Sequence, residues 1–184
     1  MELDLKYGTG TITVHIPESA QAQILEPNHL DPVDSVEREL ANALALLNSA
    51  ESKITQNLKK ASTAAIAIPD ETRPLPVKEI LPGLLNWLFA TVPGLDPAGI
   101  SIIVGGGLHP PLDGETLNRL VPPDIAGGCS VAGHDANQSP MVDYGHTSRG
   151  TPIRINAQMA EADFKIVIGQ IDPHQFVGFT GGSK

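Results

Sequence analysis

The chain has 184 residues, of which 41% are hydrophobic and 18% charged, with a formal net charge of −9. That length suits about one domain with a real buried core, and the acidic balance excludes nucleic acid as the main partner, because neutralising phosphates needs a basic face. The single cysteine, Cys129, rules out an internal disulfide and fits a reducing cytoplasm; no run approaches the roughly 18 apolar residues of a membrane span, and the acidic start at Glu2 and Asp4 is unlike a signal peptide.

The first element predicted is a strand in TGTITVHIP, Thr9 to Pro17. Ile12, Val14 and Ile16 alternate there with Thr11, Thr13 and His15, the period of a half-buried strand. A polar, proline-bearing loop follows. Asp34 or Ser35 then caps a helix whose buried face carries Leu40, Ala43, Leu44 and Leu47. AAIAIP, Ala64 to Pro69, is a wholly apolar run suited to a central parallel strand. VKEILPGLLNWLFATV reads as an amphipathic helix with an irregularity at Pro82-Gly83. ISIIVGGG, from Ile100, is a second buried strand ending in glycines. Asp113 precedes a short helix in GETLNRLV, and IRINAQMAEA leads into an apolar strand, FKIVIGQI, that closes at Asp172. Alternating strands and helices predict an α/β fold, a mostly parallel sheet with flanking helices.

Ligands of open α/β sheets bind beyond the carboxyl ends of the strands. Three polar clusters stand directly after three predicted strands: Asp70-Glu71-Thr72-Arg73-Pro74, Gly105-Gly106-Gly107-Leu108-His109-Pro110 and Asp172-Pro173-His174. In one sheet these loops would share a rim, bringing Arg73, His109 and His174 together. Arg73 reads either as a surface arginine paired with Asp70 or Glu71, or as a forked clamp for a carboxylate or phosphate. His109 and His174 read either as hydrogen-bonding loop residues or as acid/bases able to exchange a proton near neutral pH. Ten residues after His174, Lys184 follows a glycine-rich turn that would let a large ligand approach an amine. His134 and His146 read as loop residues. His15, on the polar face of the first strand, and His29, in a loop, attract no role. No HxxxH or HxH spacing points to a histidine metal site. GFTGGSK is not a phosphate loop, since serine precedes the lysine, and no GxGxxG fingerprint opens a helix.

IPDETRP, GGGLHP, HTSRGTPIRIN and IGQIDPHQFVGFTGGSK, in this order and at these separations, resemble the N-terminal part of the nickel-dependent lactate racemase family. The likeness runs from the YGTG at Tyr7 to Lys184. It implies that residues 1–184 form the N-terminal cofactor and catalytic domain of a two-domain α/β enzyme. The implied activity is racemisation or epimerisation of a 2-hydroxy acid. The implied cofactor is a nickel-pincer nucleotide, a pyridinium mononucleotide with two sulfur-bearing arms, covalently held at Lys184. The family's two acid/base histidines fall on His109 and His174, and its cofactor and substrate loop on Asp70, Glu71, Thr72 and Arg73, with Arg73 toward the substrate carboxylate. No metal ligand is assigned within the chain; the nickel-binding histidine and the second domain are expected beyond Lys184, where the chain is either a fragment or interrupted at a modified lysine. Pro110 follows His109 where many members carry arginine, which opens the choice of 2-hydroxy acid. Cofactor maturation proteins and the second domain are the implied partners.

The chemistry behind this is a hydride route. Pulling the α-proton from a 2-hydroxy acid would place a second negative charge beside the carboxylate. If one histidine instead takes the hydroxyl proton while the α-hydrogen leaves as hydride to the cofactor, a planar keto acid results, and either face can be refilled. The competing readings are a non-catalytic cofactor-binding or carrier domain, and a nicotinamide dehydrogenase, which the missing glycine fingerprint disfavours.

Overall fold

The computed structural model describes residues 1–25, 28–49 and 53–181. The chain divides into two compact units, Met1–Val33 and Asp34–Lys184. The first is built on an antiparallel hairpin of β1 (Glu2–Tyr7) and β2 (Gly10–His15), with Leu5 opposite Ile12 and Leu3 opposite Val14. The alternation in β2 predicts the strand correctly but not its burial. Ile12 is 49% and Val14 39% exposed, because the hairpin is two strands wide and its apolar face is uncovered among the described residues.

In the second unit, α1 (Val36–Ser49) begins where Ser35 Oγ accepts the Arg38 backbone N–H at 3.2 Å, which settles the cap on Ser35 rather than Asp34. Leu44 is buried and Leu40 packs against the core, but Leu47 and Ala43 are exposed, so the buried stripe is narrower than the leucine spacing implies. A short α2 (Lys53–Leu58) brings Leu58 inside.

The centre is a four-stranded parallel sheet. It comprises β3 (Ala64–Pro69), β4 (Ile100–Gly105), β5 (Ser130–His134) and β8 (Phe164–Val167), in the order β5-β4-β3-β8. Ile66, Ile100 and Ile102 have no exposed surface, as expected of strands covered by helices. Between β3 and β4, α3 (Val77–Thr91) lays Leu81, Leu84, Leu85 and Leu88 onto the core, and Pro82 is accommodated within the helix. Helix α4 (Gly114–Leu120) is capped by Asp113, whose Oδ1 accepts the Thr116 N–H at 2.7 Å. Helix α5 (Pro123–Ala126) leads to the buried Cys129, whose thiol pKa burial pushes up. Strands β6 (Met141–His146) and β7 (Pro152–Asn156) form a separate antiparallel hairpin, followed by α6 (Ala157–Glu161). Among the described residues no helix is long and apolar enough to cross a membrane.

The last predicted strand is shorter than FKIVIGQI. β8 stops at Val167, with the Ile168 N–H still reaching Ala67 O at 2.9 Å, and a new antiparallel hairpin then forms from β9 (Ile171–His174) and β10 (Gly178–Gly181). Gly169 and the polar Gln170 interrupt the apolar run between them. Gly181 has φ +95°, and a Cβ there would overlap the Gln170 carbonyl, so this position admits only glycine.

β8 is held in register from its start. Asp163 Oδ2 accepts the backbone N–H groups of Ser62 (2.9 Å) and Thr63 (3.0 Å) and the Thr63 hydroxyl (3.2 Å), while Thr63 Oγ1 accepts the Asp163 N–H at 3.0 Å. Those bonds hold the Asp163 carboxyl pKa below its ordinary value of 3.8. A carboxylate so held stabilises the fold above its unfolded pKa and loses that contribution as pH falls through the folded one. Asp163→Asn therefore lowers the melting temperature at neutral pH, and in thermal scans its deficit against wild type shrinks as pH falls below about 3.8. A deficit that stays constant with pH would refute the charge-based account.

Candidate functional site

Pro69 ends β3 and Gly105 ends β4, and the two are register partners, so their loops leave the sheet side by side. After Pro69 the chain turns tightly. Asp70 Oδ1 accepts both the Thr72 backbone N–H (3.2 Å) and the Thr72 hydroxyl (2.5 Å), an Asx turn, and the Arg73 N–H reaches Asp70 O at 3.2 Å. After Gly105 the chain makes a second turn, with the His109 N–H on Gly106 O at 3.0 Å.

The two turns are joined by their side chains. His109 Nδ1 lies 2.5 Å from Asp70 Oδ2, across 39 residues of sequence. The Asp70 side chain is 5% exposed and that of His109 53%, so the carboxylate is inside and the imidazole opens outward. Gly106 permits this approach, since a Cβ there would stand 3.2 Å from Asp70 Oδ2 and 3.4 Å from His109 Cβ. Burial pushes the Asp70 carboxyl pKa up, but the hydrogen bonds from Thr72 and His109 and the nearby imidazole outweigh it, and the net shift is below the ordinary value. Asp70 is thus an ionised, buried, fully engaged acceptor.

Arg73 is exposed, with its guanidinium Nη1 3.5 Å from Thr72 Oγ1. Neither ion pair considered for it, with Asp70 or with Glu71, is formed among the described residues. Glu71 instead lines a neighbouring cavity of about 250 Å³ with Leu75, Thr116 and Arg119; that cavity includes neither His109 nor Arg73.

His174 does not follow β8 directly, as the spacing predicts. It ends β9, opposite Gly178 in the hairpin. Its Nδ1 accepts the Phe176 N–H at 3.2 Å, and its ring stands 5.9 Å from the Phe176 ring. Among the described residues no hydrogen bond or ion pair joins it to Asp70, Arg73 or His109. The rim therefore unites the first two clusters, while the third sits on its own hairpin. Lys184 lies outside the described residues.

Two histidines read as loop residues end strands instead. His134 is the last residue of β5, beside Gly105 at the same rim, and its Nδ1 is 3.1 Å from Asn156 Nδ2; Asn156 Oδ1 also caps α6. The signal that could have found it was the strand–helix alternation, which calls for a strand after α4. The short sequence SVAGH, interrupted by Gly133, hid it. His146 ends β6 and is exposed. His15 and His29 pair with Glu2 and Asp31 at exposed positions.

The rim carries groups that could hold an anionic cofactor of mononucleotide type. Arg73 offers an exposed forked cation, His109 a half-exposed imidazole, and Gly107, at φ +61°, has open space where a Cβ would stand. Among the described residues no three His, Cys, Asp or Glu side chains gather into a metal-binding group.

Residues 7–184 match the family model described as the lactate racemase N-terminal domain. The lactate racemase of Lactiplantibacillus plantarum is 32% identical over 189 residues, covering 99% of this chain and 43% of the relative; that of Thermoanaerobacterium thermosaccharolyticum is 25% identical over 190 residues, covering 99% and 42%. The chain thus spans less than half the length of these relatives. The structure of the T. thermosaccharolyticum lactate racemase apoprotein superposes with a TM-score of 0.75 at 23% identity, over 98% of this chain and 41% of that one. A crystal structure of a Thermotoga maritima protein does so at 0.59 and 16%, over 82% and 37%. These superpositions establish a shared fold.

Proposed function

From the premise that this chain belongs to the lactate racemase N-terminal domain family, we propose that residues 1–184 are the N-terminal catalytic and cofactor-holding part of a two-domain isomerase. The complete protein racemises or epimerises a small 2-hydroxy acid. The observation that carries this reading is the Asp70–His109 link at the carboxyl rim of the parallel sheet, beside an exposed Arg73.

His109 presents its outward nitrogen to the substrate hydroxyl and removes its proton on one face. Arg73 binds the carboxylate, whose two oxygens match its fork, and so fixes which hydrogen lies opposite the imidazole. His174, carried on the β9–β10 hairpin, serves the other face, and that hairpin brings the chain toward Lys184. The 70–73 loop, with Gly107 beside it, is the surface offered to the nucleotide, and Lys184 is its covalent attachment point. When bound, a nickel-pincer nucleotide supplies a reversible hydride acceptor. The chain's own groups hold and orient substrate and move the hydroxyl proton. A second domain completes the pocket and excludes water, and cofactor maturation proteins are the other partners this reading requires.

The test is isomer interconversion by the complete, cofactor-loaded protein across a panel of enantiopure acids, including lactate, malate, longer aliphatic acids and sugar acids. At least one pair is expected to equilibrate, and mass spectrometry is expected to find the added nucleotide on the Lys184 peptide. An unmodified Lys184 with no interconversion in the panel would leave a carrier or binding domain.

A further inference from the structure

An imidazole can act as a proton acceptor only through the nitrogen that does not already carry hydrogen, so the tautomer of His109 decides whether it is a base toward substrate. The inner nitrogen, Nδ1, is 2.5 Å from a carboxylate oxygen of Asp70. That carboxylate is ionised and accepts only, and its other oxygen is taken up by Thr72. The hydrogen in the Asp70–His109 bond must therefore sit on Nδ1. His174 has the reverse arrangement, since its Nδ1 faces a backbone N–H from Phe176, which can only donate. His134 resembles it, with the Asn156 amide nitrogen on Nδ1.

We propose that Asp70 is the positioning residue of His109, fixing the Nδ1–H tautomer and the ring plane so that Nε2 meets the substrate as a lone pair. Within the 70–73 loop, Asp70 thus acts through the imidazole. The inference rests on the reading of His109 as an acid/base. It also places that residue opposite in tautomer to His174, so that one imidazole presents an acceptor where the other presents a donor.

The experiment uses the full-length protein labelled with 15N histidine, with the His109 signal assigned by its loss in His109→Gln. Long-range 1H–15N spectra are expected to place the hydrogen on Nδ1 in His109 and on Nε2 in His174. In Asp70→Asn the His109 signal changes tautomer or becomes mixed, because an amide can also donate to Nδ1. In the loaded enzyme kcat falls about 10²- to 10⁴-fold with KM changed little, the pattern for lost proton transfer. Wild-type His109 carrying its hydrogen on Nε2 would overturn the proposal without any variant having to fold. Unchanged kcat in a folded Asp70→Asn protein would overturn it too. Full turnover in His109→Ala is a different failure, since it would remove the acid/base role itself.

Discussion

The full-length enzyme carrying His109→Ala is expected to lose isomer interconversion by about 10²- to 10⁴-fold, and His174→Ala to do the same, while each retains its bound nucleotide. On the hydride route one base takes the hydroxyl proton of one isomer and a second returns it when the keto acid is refilled on its other face, so one imidazole cannot cover for its partner. His109 is half exposed at the end of a turn, and His174 ends an exposed hairpin strand. Neither side chain belongs to the apolar core, but His109→Ala leaves the buried Asp70 oxygen without its imidazole, so activity is compared only where the melting curve shows a folded variant. The check is a chiral assay run beside a melting curve and a mass measurement of the cofactor. Activity within about tenfold of wild type in either folded, loaded variant would remove that residue from the mechanism.

The second large effect falls on stability. Leu88 has no exposed surface, and it lies on the face of α3 that packs with Leu81, Leu84 and Leu85 into the main cluster. Leu88→Ala removes three buried carbons from a position held between a helix and a covered sheet, where neighbours cannot easily close the gap. A loss of about 2–5 kcal/mol is expected, a large share of the roughly 5–15 kcal/mol that holds a domain folded. Denaturant titration measures it through the midpoint. A loss below about 1 kcal/mol, the central value for point changes in general, would mean that the helix does not seal the core as described.

What could be read without coordinates follows from how locally each feature is encoded. β3, β4 and α3 were legible because apolar content and period report burial within one segment. The start of α1 was legible to within Asp34 or Ser35, and that of α4 to just after Asp113, because a side chain reaches only its own first turn; the bonds to Ser35 and from Thr116 to Asp113 came with the structure. β1 was missed because Glu2–Tyr7 mixes Glu, Asp and Lys into an alternation that only a partner strand makes sense of. β5 was missed because a five-residue strand containing Gly133 carries little pattern of its own. At the site, the ends of β3 and β4 were correctly expected to adjoin. The Asp70–His109 bond was beyond reach, since it spans 39 residues and depends on register. The early stop of β8 was a contest between Val167 and Gly169-Gln170, and a polar residue after a glycine ended the pairing.

The order β5-β4-β3-β8 has a bearing on biosynthesis. β3 and β4 are neighbours in the sheet and are separated by a single helical crossover, so they can pair once about a hundred residues have left the ribosome. The other flank of β3 stays open until Phe164–Val167 emerge, with Asp163 then fastening onto Ser62 and Thr63. For that interval a nascent chain offers an apolar strand with bare amides to any other nascent chain nearby. Stalling or premature termination in this window would leave that edge uncovered and open to pairing between chains.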